Sequence, residues 1–518
     1  MAITQLGAIN TAALVVPDLY VIITPPLNVV ANGVPTGRLG IVGTASWGPV
    51  NQSVIVGDNA QFYRLFGAYV ARKFDAGTAL NAAAQQGAAD FRVVRVTDGT
   101  DLAAASTLLT AVTLTARYTG VRGNLIQAIL GAGSRANTWR LVLAIPGQLA
   151  EVYDNIVAGG SSTATWTNIA AAVNTGAGAL RGPSQIAIAT LAAGVATTVV
   201  AATVTFAGGT DGATGVTAAM MVGTDAPTRT GMYALRSQGC GLGVIADLDD
   251  SSQWSVVASL GYSEGMYFIV SGPVGETIAS AIAAKQAAGI DDYPLKIMLG
   301  DFCYWNDPIN QSVRLISPTG FVAGRLANLS PEQSSLNKPL YGIVSTQRLG
   351  LPGQSGSQVY STAELTALGQ GGVDLITNPA PVGPIYAVRF GHNSSTDATR
   401  NGDNYTRLTD FIALTLQSFM GQFIGRTLTV DVFRQVRSAG LQFLGDLLGQ
   451  GILGSLDGNL PYSVVCDLSN NPPSRTGLGY LQADIQVRYL AIVEKFVVNI
   501  EGGTTVVVTR QTLPNGQR

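Results

Sequence analysis

Catalysis needs a nucleophile, a base or a set of metal ligands, and this sequence offers few of them. Its single histidine, His392, sits in the polar stretch GHNSSTD, so any site built on two imidazoles is excluded, and an exposed loop histidine is expected. Three cysteines, Cys240, Cys303 and Cys466, are far apart and odd in number. They encode no CxxC metal site or disulfide framework, and reduced, partly buried thiols are expected, with one cross-subunit disulfide as the alternative. HExxH, GxSxG and GxxxxGK[ST] patterns are missing, and GPVGET (272–277) lacks the lysine that would reach a phosphate. Gly241-Leu-Gly243-Val-Ile-Ala246 fits a relaxed dinucleotide pattern, but the fingerprint needs a strand before the glycines and a helix after them. Here the strand follows, and Asp247, Asp249 and Asp250 would repel a pyrophosphate. Asp291 and Asp292 are adjacent, and neighbouring carboxylates rarely converge as acid and base. No enzyme activity and no cofactor are expected.

Composition narrows the class further. Charged residues are 12% of the chain and hydrophobic residues 47%, too apolar for disorder. Thirty basic against 32 acidic residues lack the surplus that phosphate contacts demand, so direct nucleic-acid binding is not expected. A weakly charged surface favours association. Only five of the 30 basic residues are lysine, and arginine's planar fork suits desolvated pairs, including pairs between subunits. Residues 185–210 are uncharged and long enough to span a bilayer. Their recurring threonines and Gly194 fit strands crossed by a turn instead, so no membrane insertion is expected. The start, MAITQLGAIN, lacks the basic and apolar regions of a secretory signal.

Along the chain, the elements predict a multidomain α+β and α/β protein. Residues 1–25 are an apolar, proline-interrupted arm. Residues 26–100 carry strand-like runs at 37–56 and 91–96 and helical patterns at 59–69 and 76–89. Residues 101–210, rich in threonine and alanine, read as an inserted mainly β domain with one helix at 165–174. From 211 to 385, apolar runs at 243–249, 266–271, 295–300, 341–346 and 373–377 alternate with helical segments such as 276–289, the order of a largely parallel sheet. A polar loop is expected over 328–340. Residues 386–500 begin with a strand-like run at 385–391. Two amphipathic helices follow, one with Leu408, Phe411, Ile412, Leu416 and Phe419 on a face, the other with Val436, Leu441, Leu444, Leu447 and Leu448. In LQADIQVRYL, Leu481, Ala483, Ile485, Val487 and Tyr489 alternate with polar residues as in a half-buried strand. IVEKFVVNI (492–500) predicts another. Residues 501–518 form a last arm, with Gly502 and Gly503 as a joint before TTVVVT (504–509).

Several of these segments together resemble contractile tail sheath proteins of bacteriophages and related injection machines. IVGTASWGPVNQSVIVGDNAQFYRLFG (41–67) is similar to the family's N-terminal hallmark, and FRVVRV with its following Asp-Gly (91–99) stands at the family's usual place. Tyr118-Thr-Gly-Val-Arg-Gly-Asn-Leu125 resembles the turn into the family's β-sandwich insertion. SPTGFVAGRLA (317–327) and QADIQVRYLAIVEKFVVNI resemble sheath stretches in the same order. FCYWNDP (302–308) departs from the family's Tyr-Tyr-Pro-Trp, and the 101–210 insertion is individual.

The resemblance implies a sheath core of mixed sheets with flanking helices and extended strand arms at both ends. It implies a helical homopolymer of stacked rings around an inner tail tube, meeting baseplate and tail terminator proteins, assembled in the host cytoplasm and located in the virion. Such a tube contracts from a metastable extended state to drive the inner tube through the host envelope. Heterologous contacts of this kind do not close on themselves, and strand exchange keeps neighbours attached while they move. The donor strands implied are Leu14, Val15, Val16, Tyr20, Val21 and Ile22 at one end and Thr504, Thr505, Val506, Val507, Val508 and Thr509 at the other. The acceptor sheet implied is Ile485, Val487, Tyr489, Val497 and Val498, with Gly502 and Gly503 as the hinge. TTVVVT paired within its own subunit is the alternative. The sheath of a non-phage injection system, or a secreted β-rich surface protein with an export signal and repeats, are the competing readings.

Overall fold

The computed structural model describes residues 33–502 except 177–180, 352 and 354–357, together with Thr504 and the backbone of 3–6 and 20–23. At the N-terminus, β1 (Ile3–Leu6) and β2 (Tyr20–Ile23) pair in parallel, Ile3 opposite Tyr20 and Leu6 opposite Ile23. Leu14, Val15 and Val16 lie outside the described residues, and Tyr20, Val21 and Ile22 have a backbone partner in their own chain.

The next elements are β3 (Leu39–Gly43), β4 (Ser53–Val56), α1 (Asn59–Phe66), α2 (Ala76–Ala84) and β5 (Phe91–Arg95). The carboxylates of Asp58 and Asp75 cap α1 and α2 by accepting the backbone N–H of Gln61 and Thr78. The chain then leaves the core through β6 (Ala105–Leu108), β7 (Val112–Ala116), β8 (Gln127–Ala132), β9 (Thr138–Ala144), β10 (Glu151–Val157), α3 (Ser162–Thr175), β11 (Ala187–Leu191) and β12 (Ala202–Thr205). It returns where it left: Leu102 and Thr210 exchange backbone hydrogen bonds, and so do Ala105 and Ala207. Sheets β10-β9-β8-β12 and β11-β7-β6 enclose a separate core around Leu114, Leu141, Tyr153 and Trp166, with α3 against β10 and β11. The uncharged stretch at 185–210 resolves into β11 and β12. Among the described residues no helix is long and apolar enough to cross a membrane.

After α4 (Ala218–Val222) come β13 (Leu242–Ile245), α5 (Trp254–Glu264), β14 (Tyr267–Ser271), α6 (Ile278–Ala287) and β15 (Leu295–Met298). These strands join those from the start of the chain in one sheet, ordered β15-β14-β13-β3-β5-β4. Every neighbouring pair is parallel except the edge pair β4–β5. Residues 39–95 and 242–298 thus build one layer, with apolar packing on both faces. On one face Leu39, Ile41, Phe91, Val93 and Val244 meet Phe62, Phe66 and Leu80 of the first two helices. On the other, Val42, Val94, Ile245 and Phe268 meet Trp254, Val257 and Leu260 of α5.

β16 (Cys303–Asp307), β17 (Ser312–Ile316) and β18 (Ile343–Thr346) form a separate antiparallel sheet, with α7 (Thr319–Ala327) between β17 and β18 in sequence. The run at 341–346 therefore does not extend the parallel sheet as its apolar character predicts. α8 (Thr362–Gly371) precedes the two-residue pair β19 (Ile376–Thr377) and β20 (Ala387–Val388). The C-terminal part holds α9 (Asp403–Met420), α10 (Val430–Gly449), β21 (Tyr462–Val465), α11 (Pro473–Thr476) and β22 (Asp484–Val487). The predicted strand over 481–490 shrinks to four residues, and residues 492–500 form no strand. Their β-branched side chains satisfy composition, but among the described residues no neighbouring backbone pairs with them.

Candidate functional site

The chemistry-bearing residues do not come together. Gly241 and Gly243 lie at and inside the start of β13, where they admit neighbours rather than a phosphate. A Cβ on Gly243 would stand 2.4 Å from the Phe268 ring, and one on Gly241 2.9 Å from the Thr36 carbonyl. A doubly wound sheet holds ligands where its strand order reverses, at the carboxyl ends of β3 and β13. Here the chain around Phe74 fills that place. Phe74 is buried with a left-handed φ of 63°, its carbonyl accepts from Thr44 Oγ1 at 3.1 Å, and its N–H donates to the Asp247 carboxylate at 3.0 Å. Burial pushes Asp75 and Asp247 up to about 6. Asp291 and Asp292 diverge, the first accepting from Thr396 and the second from Tyr262. All three cysteines are free and buried, and burial pushes the Cys240 thiol up to about 12. Among the described residues no group of three histidine, cysteine, aspartate or glutamate side chains could hold a metal ion.

An unfinished sheet stands out instead. β21 and β22 pair antiparallel, Tyr462 opposite Val487 and Val465 opposite Asp484, and among the described residues neither has a second strand partner. Val464 is buried, and Tyr462, Ile485, Val487 and Tyr489 pack with it onto α9 and α10 through Phe411, Phe443 and Leu444. Asp484 and Gln486 face water. The Arg488 N–H donates to the Pro461 carbonyl at 2.7 Å. In an antiparallel ladder donors then alternate, so the N–H groups of Ile485 and Val487 point to the open edge.

Beyond this sheet the chain runs exposed to Gly502, with Phe496 85% and Val497 81% accessible and Val498 and Ile500 also outward. Val497 and Val498 therefore lie in the exposed segment and not in the sheet with Ile485 and Val487. A Cβ on Gly502 would meet nothing within 4 Å. Gly503 and Thr505–Thr509 lie outside the described residues, and Thr504 is in a turn.

What aims this C-terminal part is a buried ionic joint that sequence reasoning missed. Lys296 on β15 is fully buried, its ammonium 2.7 Å from Asp374 and 3.1 Å from Asp403 and donating to the His392 carbonyl. Asp403 opens α9 and also accepts from Tyr267 Oη at 2.7 Å and from the Ser335 N–H and hydroxyl. Burial alone would lower the lysine, but Asp374 and Asp403 overcome it and hold its ammonium above the ordinary lysine value. Burial likewise opposes ionisation of Asp403, yet Lys296 and the hydrogen bonds keep its carboxyl below the usual range. The available signal was a lysine inside LKIM, a run otherwise suited to a buried strand. The polar 328–340 loop buries Ser334 and Ser335, and Ser335 joins this cluster.

A second joint fixes the insertion. Arg122, in the resembling turn at 118–125, is buried and donates to the carbonyls of Tyr63, Arg64 and Pro146. Buried Arg95 donates to those of Gly48, Thr119 and Asp211. Arginines on the core are thus largely engaged within the chain, as are Arg72 with Asp211, Arg236 with Glu264 and Arg314 with Asp307. Arg122→Ala removes a buried guanidinium that bridges three carbonyls, of which Tyr63 and Arg64 keep bonds from the Gly67 N–H and the Gln148 amide, and it is expected to lower the unfolding free energy by about 1–2 kcal/mol in denaturant titration.

Asp410 on α9 has one carboxylate oxygen, Oδ2, buried without a hydrogen-bond partner, and burial pushes the group up to about 7. A folded-state value raised above the unfolded one means that stability falls as pH rises from about 4 to about 7. Asp410→Asn is expected to stabilise the subunit by about 1–2 kcal/mol at pH 8, discounted for its partial exposure. Below about pH 4 the variant and parent melting curves should coincide.

No protein-family profile and no curated protein matches the chain. Solved structures do. A sheath tail protein from Desulfitobacterium hafniense is 15% identical, with 86% of this chain and 93% of that one covered at a TM-score of 0.55. A sheath tail protein from Listeria innocua is 16% identical, with 85% and 90% covered at 0.60. The sheath complex of PVC, an extracellular contractile injection system in its contracted state, is 12% identical, with 95% and 99% covered at 0.54. The resemblance read in the sequence thus extends over most of the three-dimensional structure, and this chain has the fold of contractile tail sheath proteins.

Proposed function

We propose that this protein is the structural subunit of a contractile tail sheath, a non-enzymatic part that polymerises as a helical tube around an inner tail tube. Neighbours hold one another by strand exchange. The C-terminal arm, Thr504–Thr509 behind the Gly502–Gly503 hinge, adds a strand to the β21–β22 sheet of the next subunit, and the N-terminal segment around Leu14–Val16 and Tyr20–Ile22 adds another. The observation that carries this reading is the two-stranded sheet whose edges, among the described residues, are free, beside an exposed apolar segment that has no strand partner among them. A backbone edge accepts a strand from another chain, and a ladder of main-chain bonds survives rotation of the subunits it joins. The tube converts from a metastable extended form to a denser one, set off through a baseplate and closed by a terminator protein, and it is assembled in the host cytoplasm as part of a virion.

The sheath of a non-phage injection system is the second reading, favoured by the near-complete overlap with the PVC sheath. Negative-stain microscopy of the purified chain tests the shared claim: hollow tubes are expected, and compact monomers at every concentration would overturn it.

A further inference from the structure

Residues 491–502 have no backbone hydrogen bond and no strand partner among the described residues. Clefts flank their first part on both sides, one against the 332–338 loop and one against 398–405. One polar contact ties them down: Glu494 Oε1 lies 2.9 Å from Nε2 of His392, the single histidine of the chain. The imidazole is 16% accessible and the carboxylate 39%, so the pair is partly shielded from water. We propose that His392 and Glu494 form a pH-sensitive clasp that parks the C-terminal segment on its own subunit and opens to release it. This rests on reading the segment as the root of the donated strand.

The surroundings make His392 suited to the task. Its backbone is fixed on both sides, the N–H donating to Asp374 and the carbonyl accepting from Lys296, so the ring stays in place while its partner moves. Asn401 Nδ2 lies 3.4 Å from Nδ1, and the Phe390 ring stacks at 6.0 Å. The other charges near are Asp403, engaged with Lys296, Glu332 and Lys338, across the cleft beside Glu494, and Lys495, next to Glu494 in the opposite cleft. Histidine is the side chain whose charge ordinarily changes between about pH 5 and pH 8: with the imidazole protonated the clasp is an ion pair, and with it neutral a plain hydrogen bond. A partly exposed pair of this kind changes the closed-to-open ratio by about two- to fivefold.

The test is a nitroxide label at Val497→Cys in the full chain held monomeric at low concentration; the three native cysteines are buried and do not compete. The mobile fraction relative to the immobile one is expected to rise about two- to fivefold from pH 5.5 to pH 8.5, and to be flat in His392→Gln, which keeps a hydrogen-bond donor and removes the charge. Equal pH slopes in both chains, or no slope in the parent, would overturn the clasp. Whether the segment donates a strand is decided separately: a chain ending at Gly502 that still builds tubes would end that reading, whatever the label reports.

Discussion

Lys296→Met lowers the unfolding free energy by about 3–5 kcal/mol at neutral pH, the largest single-residue effect expected on the folded subunit. The methionine fills much of the lysine's volume, so the loss is electrostatic: Asp374 and Asp403 are left buried without their counter-charge. The sign follows from the two titrations. Asp403 lies below its unfolded value, so its contribution is present above about pH 4 and lost as pH falls through the depressed folded value. Lys296 lies above its unfolded value, so its contribution is complete below about pH 10 and lost above the raised folded value. The deficit of the variant should therefore be widest between those limits and narrow on acidification, as the stranded carboxylates protonate. Denaturant titrations at pH 7 and pH 4 check it. An equal deficit at both would mean that lost packing, and not charge, is responsible. Because this joint ties β15 to the start of α9, the same substitution should loosen the helices on which β21 and β22 rest.

Val487→Pro abolishes assembly while leaving the monomer folded. Its N–H points away from β21, so proline removes a donor that only an added strand would use. The intramolecular ladder survives, including the bond from Arg488 to Pro461. Monomer stability should change by about 1 kcal/mol or less, and sedimentation should show no polymer at concentrations where the parent polymerises. A proline chain that polymerises like the parent would place the contact elsewhere.

Much of the core was legible because buried parallel strands read as continuous apolar runs. LGIVG and YFIVS became β3 and β14, and FRVVR, marked instead by its β-branched residues before an Asp-Gly turn, became β5. The spacing of Leu408, Phe411 and Ile412, and of Val436, Leu444 and Leu447, marked the buried faces of α9 and α10. Local pattern could not reveal that strands near residue 40 and near residue 243 are neighbours, since that pairing is non-local. Nor could it reveal Lys296, whose burial depends on carboxylates 78 and 107 residues away. The 492–500 run shows the opposite failure, since strand-like composition cannot supply a second backbone. At the candidate site, the alternation of Ile485, Val487 and Tyr489 correctly gave the face that packs on the helices. β21, the partner that makes those residues a sheet, carried too short a signal to be read.

The most direct measurement of strand exchange is disulfide cross-linking in assembled particles. Gln486→Cys, on the exposed face of β22, is combined in turn with Thr505→Cys, Val506→Cys, Val507→Cys and Val508→Cys, with the native cysteines buried and inert. A ladder of covalent multimers on a denaturing gel is the predicted result, strongest at alternate positions along the arm. Cross-linked monomers alone, with the arm bound to its own sheet, would contradict it.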